Sequence, residues 1–151
     1  MSNKKEIVDN LMKSYWMEIE TIMNYTANSV NLDGIKAEEV KKSLADDLGE
    51  EFGHAQTLSK RIKEVGGLVP GSLNFSASQK ALQPKEKTTD VVSIIKGVID
   101  AEEKAIEQYN KIIKMCDGVD YVTQDTCIEL LGQEESHKIE FEGFLKEYQD
   151  N

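Results

Sequence analysis

"EEFGHA" (residues 50–55) and "QEESHK" (residues 133–138) each place a histidine three positions after a glutamate. They contain the only two histidines of the 151-residue chain, His54 and His137. On an α-helix, residues three apart lie on one face. Glu51 with His54, and Glu134 with His137, would then each present a carboxylate beside an imidazole. Whether those faces point inward depends on the segments around them.

Those segments read as helices. The chain has only 2 prolines and 10 glycines, and is rich in Glu, Lys, Ile and Leu, a composition of mostly helical proteins. Apolar residues recur at steps of three and four in four long stretches. The first runs from about Lys4 to Ser29 and ends at "NLDGIKAEE", with Gly34 as punctuation. The second runs from about Ala37 to Val65 and is ended by Gly66, Gly67 and Pro70. A long, weakly periodic connection follows, with a short helix expected around Ser76–Leu82. "TTD" then supplies N-caps for a third helix from about Thr89 to Met115. After the turn "CDGVD", a fourth runs from about Tyr121 to Tyr148, with Ile128, Leu131, Phe141 and Leu145 as its apolar residues. The short loops make antiparallel pairs, and the long connection joins two such pairs. The expected fold is all-α: one domain over residues 1–151, a four-helix bundle with one long crossover between its second and third helices.

Followed in steps of three and four, each apolar stripe is interrupted near its middle by an acid. Glu18 interrupts the first helix, Asp47, Glu51 and His54 the second, Glu102 the third, and Glu134 and His137 the fourth. Burying an ionised carboxylate costs several kcal/mol or more unless it is paired or metal-bound. No Lys or Arg lies on the stripes at that level. Four glutamates and two histidines would neutralise two dications, with carboxylates bridging and each imidazole capping one ion. One Glu from each of two helices, and a Glu-x-x-His from each of the other two, is the ligand set of di-iron and di-manganese carboxylate bundles. The spacing is nearly duplicated: Glu18 precedes Glu51 by 33 residues and Glu102 precedes Glu134 by 32. Tyr25 and Tyr109 each follow a lone glutamate by seven residues, placed to hydrogen-bond a metal-binding carboxylate. Glu20 falls off the stripe, and Glu103 and Glu135 read as solvated acids.

At these residues the chain resembles the ferritin-like superfamily, bacterioferritins and Dps-like proteins in particular. "EIETIMNY" (18–25), "EEFGHA" (50–55), "AEEKAIEQY" (101–109) and "DYVTQDTCIELLGQEESH" (120–137) carry the likeness. The resemblance implies that Glu18, Glu51, His54, Glu102, Glu134 and His137 bind two irons at a ferroxidase centre, Glu51 and Glu134 bridging. Bacterioferritins place a haem-ligating Met after the second-helix Glu; Phe52 stands there, so no haem is expected by that route. The chain ends at Asn151, about where the fourth helix does, without room for a bacterioferritin-like fifth helix. The crossover is long, as in Dps-like proteins. These departures favour a dodecameric shell over a 24-mer.

Function follows as an expectation: oxidation of Fe²⁺ by O₂ or H₂O₂ and storage of ferric iron in a hollow homo-oligomer. In such a shell Asp46 and Glu50, i and i+4 on another face of the second helix, would offer a secondary iron site; the plainer reading is two surface acids. Alternatives are peroxide detoxification without storage, as in rubrerythrins, a di-manganese catalase or carboxylate oxygenase, and a metal-free structural bundle. No CxxC electron-transfer motif supports the first of these. The net charge of −10 draws cations and disfavours nucleic acid and anionic membranes. No apolar run approaches the ~20 residues of a membrane span, and the first ten residues carry no hydrophobic signal region, so a cytoplasmic protein is expected. Trp16, off stripe, is expected at a subunit interface. Cys116 and Cys127 read as buried thiols without a mutual disulfide, because their heights along the bundle differ by ~10 Å, beyond the ~7 Å reach of the bond.

Overall fold

The computed structural model describes residues 2–149, so the end of the chain at Asn151 lies outside the described residues. Among these, four helices form and no strand: α1 (Ser2–Asn31), α2 (Glu38–Glu64), α3 (Val91–Cys116) and α4 (Tyr121–Gln149). The four stretches read from the sequence are all present. α1 pairs with α2 and α3 with α4, and the two pairs meet chiefly through α1 against α3. No helix of the described residues is long and apolar enough to cross a membrane.

The inward seam follows a seven-residue repeat. On α1 it is Ile7, Leu11, Ser14, Glu18, Thr21, Tyr25 and Asn28, with Glu20 and Asn24 buried beside it; on α4, Thr123, Cys127, Leu130, Glu134, His137 and Phe141. A strict heptad keeps one seam facing the partners along a whole helix. Ile128 lies outside that seam: it is 49% exposed, because Cys127 and Leu130 take the inward positions at its level. Two apolar clusters fill the bundle. One gathers Tyr25, Leu44, Val98 and Phe141; the other Leu11, Leu58, Ile112, Cys116 and Cys127. The interrupting glutamates and histidines lie in sequence between these clusters. Both thiols are free and buried, and burial raises them to about 11 for Cys116 and about 12 for Cys127, so they stay protonated.

The crossover, residues 65–90, returns from the end of α2 to the start of α3. The expected short helix at Ser76–Leu82 is reduced to a single 3₁₀ turn at Lys80–Leu82, with another at Ser72–Asn74. Gln79 leaves helical geometry at ψ 73°, so only the last turn of the segment closes. The buried carboxylate of Glu20 anchors the extended part, accepting the backbone N–H of Ser78 at 2.9 Å and of Gln79 at 2.8 Å. Gln79 then donates to Thr21 Oγ1 at 2.7 Å and accepts from Asn24 Nδ2 at 3.0 Å. Glu20, off the stripe, is thus a strap anchor. Trp16 packs against Phe75 of the same strap, ring centroids 5.5 Å apart. On the α3 side the strap rests on Gly97, where a Cβ would meet Ala81 O at 2.2 Å. At the start of α3, Asp90 caps the helix by accepting from Ser93 N at 3.1 Å.

The strap makes a prediction. Gly97→Ala forces the crossover off α3, and the overpacking lowers stability by about 1–3 kcal/mol. The metal-free variant should melt at lower temperature and be cut faster by protease within residues 70–90. Gly143→Ala, whose added Cβ meets nothing within 4 Å, should leave the midpoint unchanged or raise it.

Candidate metal centre

The structure brings all six sequence-selected residues into one buried layer. Glu18, Glu51, Glu102 and Glu134 are exposed by only 2%, 1%, 2% and 1%, and both histidines are buried. Among the described residues no lysine or arginine is buried, so neither faces these acids from inside.

The geometry is divided in two. Glu18, Glu51, His54 and Glu134 offer ligand atoms all within 4.8 Å of one another, and so do Glu51, Glu102, Glu134 and His137. Glu51 and Glu134 belong to both sets, and each turns one oxygen toward each histidine. Glu134 Oε1 is 2.8 Å from His54 Nδ1, while its Oε2 is 3.8 Å from His137 Nδ1. Glu51 Oε1 is 3.2 Å from His137 Nδ1, while its Oε2 is 3.7 Å from His54 Nδ1. Glu18 Oε2 lies 3.5 Å from His54 Nδ1 and Glu102 Oε1 3.9 Å from His137 Nδ1. The two rings stand nearly parallel, centroids 6.4 Å apart.

The tyrosines act reciprocally. Tyr25 donates to Glu102 Oε1 at 2.6 Å and Tyr109 to Glu18 Oε1 at 2.8 Å. α1 and α3 run antiparallel, so a tyrosine two turns beyond one glutamate comes level with the glutamate of the other helix. Each hydroxyl fixes one carboxylate oxygen and leaves the second, Oε2, without a hydrogen-bond partner in both Glu18 and Glu102. Glu51 Oε1 and His137 Nδ1 also lack one. Buried polar atoms are nearly always satisfied. A cluster of unpartnered anionic oxygens and one imidazole nitrogen, converging on two points, has the donor chemistry that hard dications such as iron and manganese accept. The residues present fit such ions.

Asp46 and Glu50 are both exposed, as the plainer sequence reading has them, and Glu50 also groups with Asp47 and His137. Position 47 lies on the inward seam, one heptad after Val40 and before His54, and so faces the site where position 46 cannot. Glu50 Oε2 is 2.5 Å from His137 Nε2, and Asp47 Oδ1 is 3.7 Å from it. On the other side, His54 Nε2 is hydrogen-bonded to Gln133 Oε1. Gln133 was not selected from the sequence. Its only signal is that it precedes Glu134 as Glu50 precedes Glu51.

Without a cation, protons do the neutralising. Burial pushes Glu18, Glu51 and Glu102 above the usual carboxylate range, and neighbouring carboxylates add to it. Burial also opposes charge on Glu134, but hydrogen bonds with Glu102, His137 and His54 outweigh it and hold that carboxyl below its usual range. Burial disfavours charged imidazoles, yet their hydrogen bonds, led by Glu134, raise His54 to about 10 and His137 to about 9. Burial lifts Asp47 to about 6 despite the charge of His137.

Comparison with known proteins gives the family of the chain. The model of the ferritin-like domain matches residues 8–150. The chain belongs to the ferritin-like family. Over 145 residues it is 28% identical to the DNA protection during starvation protein of Pyrococcus furiosus, covering 93% of this chain and 77% of that one. Over 141 residues it is 27% identical to the bacterioferritin of Desulfovibrio desulfuricans, covering 92% and 74%. A ferritin-like di-iron carboxylate protein from Bacillus anthracis shares the fold with a TM-score of 0.84 at 20% identity, covering 96% of this chain and 99% of that one. So does a dodecameric thioferritin from Bacteroides fragilis, at 0.83 and 23%, covering 97% and 88%.

The protons held in this ferritin-like core set a pH dependence. Carboxyls kept protonated in the fold lose their protons on unfolding once pH exceeds about 4.3, and unfolded histidine does so above about 6.5. Both make unfolding more favourable as pH rises, until the folded imidazoles also deprotonate near 9 and 10. Glu134 works in the opposite sense, but only below the unfolded carboxyl range. The melting temperature of metal-free protein should therefore fall between pH 5 and pH 9. Glu51→Gln, which cannot ionise, should flatten the decline, and two equivalents of Mn²⁺ should abolish it.

Proposed function

We propose that this chain is a ferroxidase that oxidises Fe²⁺ at a two-metal centre within the subunit and stores the ferric product in a hollow oligomer. The observation that carries this reading is the placement of Glu51 and Glu134, each with one oxygen toward each histidine. Two ions bridged by these carboxylates would take Glu18 and His54 as terminal ligands on one side, and Glu102 and His137 on the other. Tyr25 and Tyr109 hold the terminal carboxylates in place. A metal-free structural bundle would leave several buried carboxylate oxygens unpartnered, an arrangement with no compensating gain.

Iron is the substrate. Each of two Fe²⁺ ions gives up one electron, and the pair reduces O₂ with two protons to H₂O₂, or H₂O₂ with two protons to two waters. Supplying both electrons together avoids a one-electron radical product. The bridging carboxylates keep the two ions close enough to act as a pair, and Nδ1 of each imidazole caps one of them. Asp47 and Glu50 border the centre beside His137, and their charge would attract ions toward it. The long crossover and the dodecameric relative of the same fold support a dodecamer of single-domain subunits. The reading includes no haem, no nucleic-acid or membrane partner, and a cytoplasmic location.

The test is kinetic. Protein loaded anaerobically with two Fe²⁺ per chain, then mixed with O₂ or H₂O₂, should develop ferric absorbance far faster than free Fe²⁺ in the same buffer. Glu51→Ala should lose at least a hundredfold in rate. Equal rates for the two proteins would contradict the assignment. Light scattering on the eluting protein should give the mass of a dodecamer, and a monomer or dimer would exclude storage.

A further inference from the structure

The two halves of the centre match in their ligands and differ in what stands behind each imidazole. The residue before the glutamate of each Glu-x-x-His reaches across to the histidine of the other helix. On α2 that residue is Glu50, 2.5 Å from His137 Nε2. On α4 it is Gln133, bonded to His54 Nε2. The residue four before each glutamate also differs. Before Glu51 it is Asp47, 3.7 Å from His137 Nε2, and before Glu134 it is the apolar Leu130. Asp47 is buried, its side chain 10% exposed, and its Oδ2 has no hydrogen-bond partner. His137 Nε2 thus has two acids beside it, and His54 Nε2 is bonded to a neutral amide.

Both backing bonds place the imidazole proton on Nε2 and leave Nδ1 facing the carboxylate layer, so both rings are oriented for the same role. Their electrostatic effect differs. A carboxylate behind a ligating imidazole raises its basicity and brings negative charge near the ion, whereas an amide carbonyl accepts the same hydrogen bond without net charge.

Resting on the reading of this layer as a two-metal centre, we propose that Glu50, Asp47 and Gln133 make its two positions unequal. The position formed by Glu51, Glu102, Glu134 and His137 fills first and holds its dication more tightly. The position formed by Glu18, Glu51, Glu134 and His54 fills second and exchanges more readily. Gln133 and Glu50 are positioning residues: they touch the histidines and not the ions. The more readily exchanged ion on the His54 side is then the one replaced between turnovers.

Co²⁺ tests this without catalysis, because its visible absorption reports each ion as it enters a mixed carboxylate–imidazole site. Wild-type protein should bind two Co²⁺ per chain in two resolved steps, at least tenfold apart. Gln133→Glu should tighten the second step by about ten- to a hundredfold and merge it with the first, and Glu50→Gln should weaken the first by a similar factor. A gain in affinity in Gln133→Glu is not something a damaged fold produces. Two equivalent ions in wild-type protein, or an unchanged second step in Gln133→Glu, would overturn the inequality and leave the two-metal reading standing. Failure to bind two Co²⁺, or binding undiminished by Glu51→Ala, would overturn the two-metal reading and this proposal with it.

Discussion

Four carboxylates share one buried layer between two apolar clusters, and no lysine or arginine among the described residues is buried with them. The rest of the structure is arranged around that constraint. An isolated buried charge is among the most expensive features a core can hold, and removing one partner from a buried set strands the others. The fold meets this with protons, tyrosine hydroxyls and imidazoles, and still leaves oxygens of Glu18, Glu51 and Glu102 unpartnered. A core optimised for stability alone would carry leucines at these seam positions. Retaining acids there makes sense if the layer exists to hold cations.

The remaining architecture keeps the layer in register. α2 and α4 approach one another less closely than the other neighbouring helices. What spans them is largely polar: the histidines with their carboxylates, and Arg61 of α2, which reaches Asp120 at 3.0 Å and Thr123 at 2.9 Å near the start of α4. α1 and α3 are fastened from outside by the crossover, through Glu20 on one helix and Gly97 on the other. Both fastenings act on helices that carry a lone glutamate. Their effect is to fix the distance across which Tyr25 reaches Glu102 and Tyr109 reaches Glu18.

Much of this could be read from the sequence, because the relevant signals are periodic. The seven-residue seam put Glu18, Glu51, Glu102 and Glu134 inside, and the offset to Tyr25 and Tyr109 marked the hydroxyls that hold them. What could not be read depends on contacts without periodicity. Glu20 lies beside the seam, and its partners are backbone amides 58 and 59 residues away, which no spacing reveals. Ile128 and Leu131 both looked inward, yet Cys127 and Leu130 hold the seam. Gln133 has no intrinsic metal-site chemistry, and its place beside His54 emerges only when α2 and α4 are set together.

Anomalous diffraction from crystals soaked anaerobically in Mn²⁺ tests the central claim most directly. The account predicts two strong peaks inside each subunit, both within bonding distance of Glu51 and Glu134, one on Nδ1 of His54 and the other on Nδ1 of His137. An interior without peaks at saturating Mn²⁺, or ions bound only by carboxylates on the outer faces of the helices, would contradict it.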